Sequence, residues 1–380
     1  MNSLREIVAS SPLLSAVAMR SLRNEDSPQS LGPARWNWDS IRRILVVRLR
    51  SIGDTVLTTP SLLALRRFLP HATIDILLED WVAPVLEGFP GIDNVIRLKA
   101  RSTYSRVRVA REIRGRQYDV VYNLHGGTTA TLLSRTTGAQ HRVGYASYQY
   151  ARLHNHRAPA SSLLWGREQT HSVEQQLALF GWTGVPVTDR PATKLVATKE
   201  ASVRIDEQLR KMGLEERAFA VIHPAAAYAT KQWATDKFAR VAENLSDCGI
   251  AVVALTGPGD AHVAQELNNR SAARIIEMSN LSLPEVTALA SKARLFIGND
   301  SGIAHMAAAV GLPSVVIFGS SNISHWRPWA TAAGEVVREE MDCQPCHGYF
   351  CEKFDEPECI KRVPVDRVVA AIERVLRDNK

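Results

Sequence analysis

Leu295-Phe296-Ile297-Gly298-Asn299-Asp300-Ser301-Gly302-Ile303-Ala304-His305 decides how this chain is read. Leu295–Gly298 has the look of a short buried strand. It stops at small polar residues and turns directly into an Ala-rich helix that runs to about Ala309. A helix that starts this way leaves its first amides pointing at solvent, and with the positive end of the helix dipole they form an anion site. The site carries a carboxylate at Asp300, two small residues at Ser301 and Gly302, and an imidazole at His305 one turn in. Such a set can hold a phosphate on one side and a sugar hydroxyl on the other. The same residues, taken alone, also fit an ordinary helix capped by Asp300 or Ser301.

Working outward, strands and helices alternate. Ile44–Leu49, Thr73–Leu78, Asn94–Leu98 and Val120–Leu124 read as strands, with a helix over Thr55–Phe68. A connector over 183–193 follows, and the pattern restarts. Phe219–Ile222, Ile250–Leu255, Ile275–Glu277, Leu295–Gly298 and Ser314–Phe318 read as strands, with helices over Thr235–Asp247, Leu283–Ala290 and Ser301–Val310. An amphipathic helix, Val365–Leu376, closes the chain. Alternation of this kind means parallel sheets covered on both faces, here two doubly wound α/β units in series. Open sheets of that type bind ligands at the carboxyl ends of their strands. We expect an extension and linker over 1–38, a first domain over 39–187, a second over 188–362 and a final helix over 363–380.

The chain has 380 residues, enough for two substantial cores. No apolar run reaches the length of a membrane span. Residues 1–23 are broken by charges and Pro12, so a surface helix or frayed extension fits better than a secretion signal, and a membrane-surface helix is the minor alternative. The default is a cytoplasmic protein. Net charge is +7, unevenly placed: residues 39–190 hold 20 Lys/Arg against 12 Asp/Glu. That field suits an anionic partner or is simply a solvated face.

Three further stretches sit where strands end. Arg48–Thr55 (RLRSIGDT) puts Asp54 at a helix start, as a cap or as a general base for a hydroxyl. His223–Trp233 (HPAAAYATKQW) puts Lys231 within reach of a diphosphate. Gly257-Pro258-Gly259-Asp260 puts Asp260 at a helix cap or near ribose hydroxyls. The GxGxxG dinucleotide loop and the GxxxxGK[ST] phosphate loop are both absent from the sequence, which argues against a dehydrogenase or an ordinary NTPase.

With these residues in place, the chain resembles glycosyltransferase family 9, the ADP-heptose:lipopolysaccharide heptosyltransferases. The resemblance spans roughly residues 41 to 378. It rests on the order and spacing of ILVVRLRSIGDTVLTTP (44–60), YDVVYNLHG (118–126), RVGY (142–145), HPAAAYATKQW (223–233), GPGD (257–260) and FIGNDSGIAH (296–305). It implies the GT-B fold: two Rossmann-like domains facing a central cleft, with the last helix crossing back onto the first domain. It implies inverting transfer of heptose from ADP-heptose to a hydroxyl of the lipopolysaccharide inner core. Asp54 would be the base. Lys231 and the amides of Ser301 and Gly302 would hold the leaving diphosphate. Asp300 and His305 would meet the donor's heptose or phosphates, and Asp260 its ribose. No catalytic metal is implied. Ala225-Ala226-Ala227 departs from the Thr or Ser common in the family. Candidates for an anionic glycolipid acceptor are Arg101, Arg142, His125 and Tyr145, with Arg106 and Arg152 behind them. Peripheral contact with the cytoplasmic face of the inner membrane would follow.

Cys343, Cys346, Cys351 and Cys359 lie within 17 residues, with His347 as a spare ligand. That density suits a structural tetrathiolate site for Zn or Fe. Some protein-modifying relatives in the resembled family carry a similar iron-binding finger, so a protein O-heptosyltransferase is the second reading. A basic nucleic-acid binder is the third. It is disfavoured because the cysteines and the basic excess lie in different halves and no aromatic-rich strand motif is present.

Overall fold

A computed structural model of the chain describes residues 27–346 and 349–378. Stretches such as Ser314-Val315-Val316-Ile317-Phe318 are buried at every position, so both faces of the strand must be covered. The chain meets that demand twice. The first sheet contains β1 (Arg43–Val47), β2 (Thr73–Glu79), β3 (Asn94–Leu98), β4 (Val120–Asn123), β5 (His141–Tyr145) and β6 (His156–Ala158). The second contains β7 (Phe219–His223), β8 (Ala251–Thr256), β9 (Ile275–Ser279), β10 (Leu295–Asn299), β11 (Ser314–Phe318) and β12 (Gly334–Arg338). Their orders are β3-β2-β1-β4-β5-β6 and β12-β11-β10-β7-β8-β9, all neighbours parallel. Counted from the first strand of each unit, the two orders are the same doubly wound pattern. The direction of winding reverses between β1 and β4 in one sheet and between β7 and β10 in the other. Those two crevices are where such sheets bind ligands.

The structure departs from the sequence reading at four places. The helix expected over Thr55–Phe68 is two, Ile52–Val56 and Thr59–Phe68. Pro60 cannot donate a backbone hydrogen bond, so it opens the second helix instead of sitting inside one. β5, β6 and β12 were not read as strands. β5 and β6 carry His141, Arg142, His156 and Arg157, and β12 is an edge strand with an exposed start, so the apolar signal is weak.

The segment read as a linker before residue 38 is bound structure from Ser27 onward. Leu31 and Arg35 amides donate to the carbonyls of Gly181 (3.0 Å) and Thr183 (3.3 Å), and Val187 donates to Gln29 (2.8 Å). Trp38 is buried and its indole N–H reaches the Thr183 carbonyl at 3.2 Å. The possible surface helix over 1–23 lies outside the described residues.

The last helix, Val365–Arg377, does not cross back onto the first domain. Val365, Val368, Ala371, Ile372 and Val375 form a buried stripe that joins Trp233 and Phe238 in the core of the second unit. Trp233 and Lys237 fix its approach, both donating to the Val363 carbonyl, at 3.0 and 2.8 Å. A stripe this apolar packs against the nearest unfilled face, which is the second sheet.

Candidate active site

β1 ends at Val47, and the chain turns through Arg48–Ser51 into the short Ile52–Val56 helix. Ser51 and Asp54 form a capping box there, so Asp54 is a cap, as the plain reading of the sequence allowed. Its carboxylate does more than cap. Ser51 Oγ donates to Oδ2 at 3.1 Å, and the Arg48 guanidinium closes on Oδ1 in a pair only 12% and 19% exposed. Arg48 also donates to the Leu124 carbonyl at the end of β4. The base candidate is therefore held across the first switch point by the two strands that flank it.

β10 ends one residue before Asp300. Lys231 Nζ donates to Asp300 Oδ2 at 2.7 Å, and Ser321 Oγ donates to the same oxygen at 2.5 Å. Ser301 caps the Gly302–Ala309 helix by accepting from the Ala304 amide at 3.3 Å. Asn299 is fully buried and clamps the β7 exit, donating to the Pro224 carbonyl at 2.8 Å and accepting from the Trp233 amide at 3.0 Å. That clamp sets the turn carrying Lys231. Removing Lys231 would strand the buried Asp300 carboxylate, whereas the Lys231 ammonium is partly open to solvent.

The two helix starts meet. A Cβ placed on Gly53 would lie 2.8 Å from His305 Cδ2, and one on Gly302 would lie 2.7 Å from Ile52 Cβ and 3.2 Å from the Gly53 nitrogen. Asp54 and Asp300 thus border one crevice, with buried His305 between them. Both carboxylates pull its basicity up, but burial dominates and lowers it, so His305 is neutral near pH 7. Its Nδ1 is buried without a partner. Asp260 stands at the β8 exit one strand further along, at the start of the Ala261–Arg270 helix, where it makes no side-chain cap bond.

On the first domain's side lies a cavity of about 610 Å³. Arg48, His125, Tyr145, Tyr148, Gln175 and Gln176 line it, and His325 and Trp326 reach in from the second domain. Burial and the neighbouring Arg48 and Arg50 push the His125 imidazole down to about 4. His325 is lowered too, chiefly by burial. Tyr145 donates its hydroxyl to the Gln175 carbonyl. His125 and Tyr145, the acceptor candidates, both line this cavity.

Arg142 and Arg101 are not among the residues lining it. Arg142 sits near the amino end of β5, and its guanidinium donates to the carbonyls of Ala139 (2.6 Å) and Leu153 (3.2 Å). Its charge serves the fold at the end of the sheet away from the crevice. Arg101 is exposed on a turn with φ 59° before the Thr103–Gly115 helix.

Sequence reasoning gave no role to Arg48, Ser321, Gln175 or His325. Ser321 was within reach, because β11 also ends in small polar residues (Gly319-Ser320-Ser321), the same signal that exposed Asp300. Gln175 and His325 bear on the crevice only because the domains meet.

The four cysteines line one cavity of about 480 Å³ together with Thr230, Ser320 and Gln344. Burial raises the Cys359 thiol, and Cys346, Cys343 and Cys351 raise it further. Among the described residues, no three His, Cys, Asp or Glu are grouped to hold a metal as they stand, and His347 lies outside them. The loop is tied to the crevice. Gln344 Nε2 donates to the Gly319 carbonyl at 2.7 Å, Cys346 N to Ser320 at 3.1 Å and Ser320 N to Thr230 at 3.2 Å.

Two doubly wound domains meeting at their switch points, with a carboxylate on one side and a lysine-backed helix start on the other, define a GT-B glycosyltransferase. The chain matches the model of glycosyltransferase family 9 (heptosyltransferase) over residues 106–354, and it belongs to that family. It is 28% identical over 348 residues to lipopolysaccharide heptosyltransferase 3 of Escherichia coli K12, covering 87% of this chain and 97% of that one. Among solved structures, a family 9 glycosyltransferase from Veillonella parvula superposes with a TM-score of 0.77 at 24% identity, covering 89% of this chain and 97% of that one. The E. coli ADP-heptose lps heptosyltransferase II superposes at 0.73 and 21%, covering 89% and 99%. These two likenesses show the shared fold.

Two outcomes follow from the contact between the domains. Gly302→Ala should lower kcat/KM by about 10²-fold, because reacting groups displaced by an ångström lose that much. Gly115→Ala, whose methyl would meet nothing within 4 Å, should leave it unchanged. The second outcome concerns His171, which bridges the domains. Its Nε2 donates to the Arg327 carbonyl at 2.7 Å and its Nδ1 accepts from the Val173 amide at 3.1 Å, so the cap that Nδ1 gives the helix needs the neutral ring. Burial holds His171 down to about 4 from 6.5. The unfolded ring takes its proton first as pH falls, so stability is lost from about pH 6.5 towards 4, at up to about 1.4 kcal/mol per pH unit. Thermal melts across that window should show His171→Asn with a shallower slope than the parent.

Proposed function

We propose that this protein is an inverting heptosyltransferase that moves heptose from ADP-heptose to a hydroxyl of the lipopolysaccharide inner core. The observation that carries the reading is the meeting of Asp54 and Asp300 across one crevice through Gly53, Gly302 and His305. In this reading the acceptor sugar enters the cavity beside His125, Tyr145 and Gln175. Arg48 and Ser51 hold the Asp54 carboxylate in one orientation, and it takes the proton from the acceptor hydroxyl. The oxygen then attacks the anomeric carbon on the face opposite the diphosphate. ADP leaves, and the configuration inverts.

Lys231 and the amides at the start of the Gly302–Ala309 helix meet the charge that grows on the leaving phosphate. Asp300 shares its Oδ2 with Lys231 and Ser321, and Oδ1 is left for a donor hydroxyl. Asp260 meets the adenosine ribose. A nucleotide-sugar donor and a lipid-borne acceptor put this enzyme at the cytoplasmic face of the inner membrane.

The cysteine loop belongs to the same reading. Cys343, Cys346, Cys351 and Cys359 line one cavity without being grouped to hold an ion as they stand, and would have to draw together around it to hold a structural Zn or Fe. Four thiolates leave no open position, so the ion's part is to brace the loop that Gln344 and Cys346 tie to the donor side of the crevice.

Asp54→Ala should keep ADP-heptose binding, read by calorimetry, and lose transfer by at least about 10²-fold. Turnover equal to the parent would remove Asp54 from the mechanism. Metal analysis of the purified protein should give close to one Zn or Fe per chain, and a chelator that strips it should raise the KM for donor more than it lowers kcat.

A further inference from the structure

The basic excess of the first domain has one concentrated location that the crevice does not use. The Thr103–Gly115 helix buries Ser105, Val109 and Ile113, three positions on a single face. Ser102 caps it, accepting from the Ser105 amide at 3.1 Å. The opposite face carries Tyr104, Val107, Arg108 and Arg111, spaced i, i+3, i+4 and i+7. Tyr104 is 79% exposed and Val107 43%. Arg106 is exposed on the flank.

These cations are not committed to the protein. Among the described residues the guanidinium groups of Arg106 and Arg111 bond to nothing, and Arg108 reaches only the Arg97 carbonyl, at 3.4 Å. The one acid on the helix, Glu112, is taken by Arg116 at 2.8 Å. A merely solvated basic face needs no large exposed apolar side chains among its arginines, and this one holds two.

We propose that this face docks on an anionic phospholipid bilayer. Arginine guanidinium groups would meet lipid phosphates while Tyr104 and Val107 enter the headgroup region, the two contributions that make a surface helix bind anionic lipid. The charge is complementary to such a surface, and the apolar pair distinguishes it from a field that only steers. RNA is the weaker partner for this face, since Tyr104 is the single aromatic side chain on it and successive bases would need several. The inference rests on the heptosyltransferase reading only in that a lipid-borne acceptor brings the enzyme to a bilayer. Its test does not depend on turnover.

Full-length protein would be sedimented with phosphatidylcholine vesicles, with and without about 30 mol % phosphatidylglycerol. Binding should require the anionic lipid and fall steeply between about 0.05 and 0.5 M salt. The triple variant Arg106→Glu, Arg108→Glu, Arg111→Glu should lose more than about tenfold in vesicle affinity with an unchanged melting temperature. The neutral triple Arg106→Gln, Arg108→Gln, Arg111→Gln serves if the charge reversal fails to fold, and should weaken binding in the same sense. Tyr104→Ala should weaken it with the salt dependence retained. Equal binding to neutral vesicles, or unchanged binding by the arginine variants, would overturn the proposal. So would a single-stranded RNA probe bound through the same arginines by a protein that ignores vesicles. Loss of transfer with vesicle binding intact would count against the transferase reading alone.

Discussion

Everything at the crevice depends on two backbones touching where side chains would keep them apart. The starts of the Ile52–Val56 and Gly302–Ala309 helices approach so closely that a methyl on Gly53 or Gly302 would collide with His305 or Ile52. Each helix follows a strand at its sheet's switch point. The contact therefore brings the ligand-binding ends of two separate sheets into one space. A carboxylate fixed by the first sheet can then act on something held by the second.

The electrostatic design follows from that closeness. Asp54 and Asp300 are two carboxylates beside one crevice, and each has its own cation, Arg48 and Lys231. Paired, they can keep different tasks. The imidazoles around them go the other way: His125, His171, His305 and His325 are all lowered, each first by burial. Neutral rings can accept as well as donate hydrogen bonds, which suits a surface that must recognise sugar hydroxyls. The positive charge is concentrated in Lys231 and the helix amides, on the side where a diphosphate would depart.

Much of this could be read along the chain, because strand ends are local. An apolar run followed by small polar residues is visible at Val47, His223, Thr256 and Asn299, and three of these points, all but Thr256, lead to Asp54, Lys231 and Asp300 at the crevice. What stayed hidden was of two kinds. Edge strands carry mixed residues because one side meets solvent, so β6 and β12 lacked the apolar run that marks β10 or β11, and β5, though paired on both sides, opens on the polar His141 and Arg142. Contacts between domains have no signature within either one. The Arg327 carbonyl facing His171, and His325 beside Gln175, pair residues some 150 positions apart. The course of the last helix was misjudged for a related reason. Its amphipathic stripe announces that it will pack, and only the exposed face left on the second sheet says where.

Charge along the sequence misled in an instructive way. A basic first half suggested arginines inside the acceptor site, yet among the described residues lining the 610 Å³ cavity Arg48 is the one cation, and it is paired with Asp54. Arg142 supports the far end of the sheet, and Arg101 lies on an exposed turn just before an outer helix that carries Arg106, Arg108 and Arg111. Net charge reports on the field around a protein, which gathers an anionic partner from a distance. The wall of a cavity reports on what is finally accepted, and here that wall is mostly hydroxyls, amides and imidazoles, with Arg48 and Glu168 of opposite sign. A substrate that is anionic as a whole but neutral at the reacting sugar satisfies both. On the proposed reading, the basic surface acts at a distance and the cavity, whose charges are Arg48 and Glu168 of opposite sign, acts at contact.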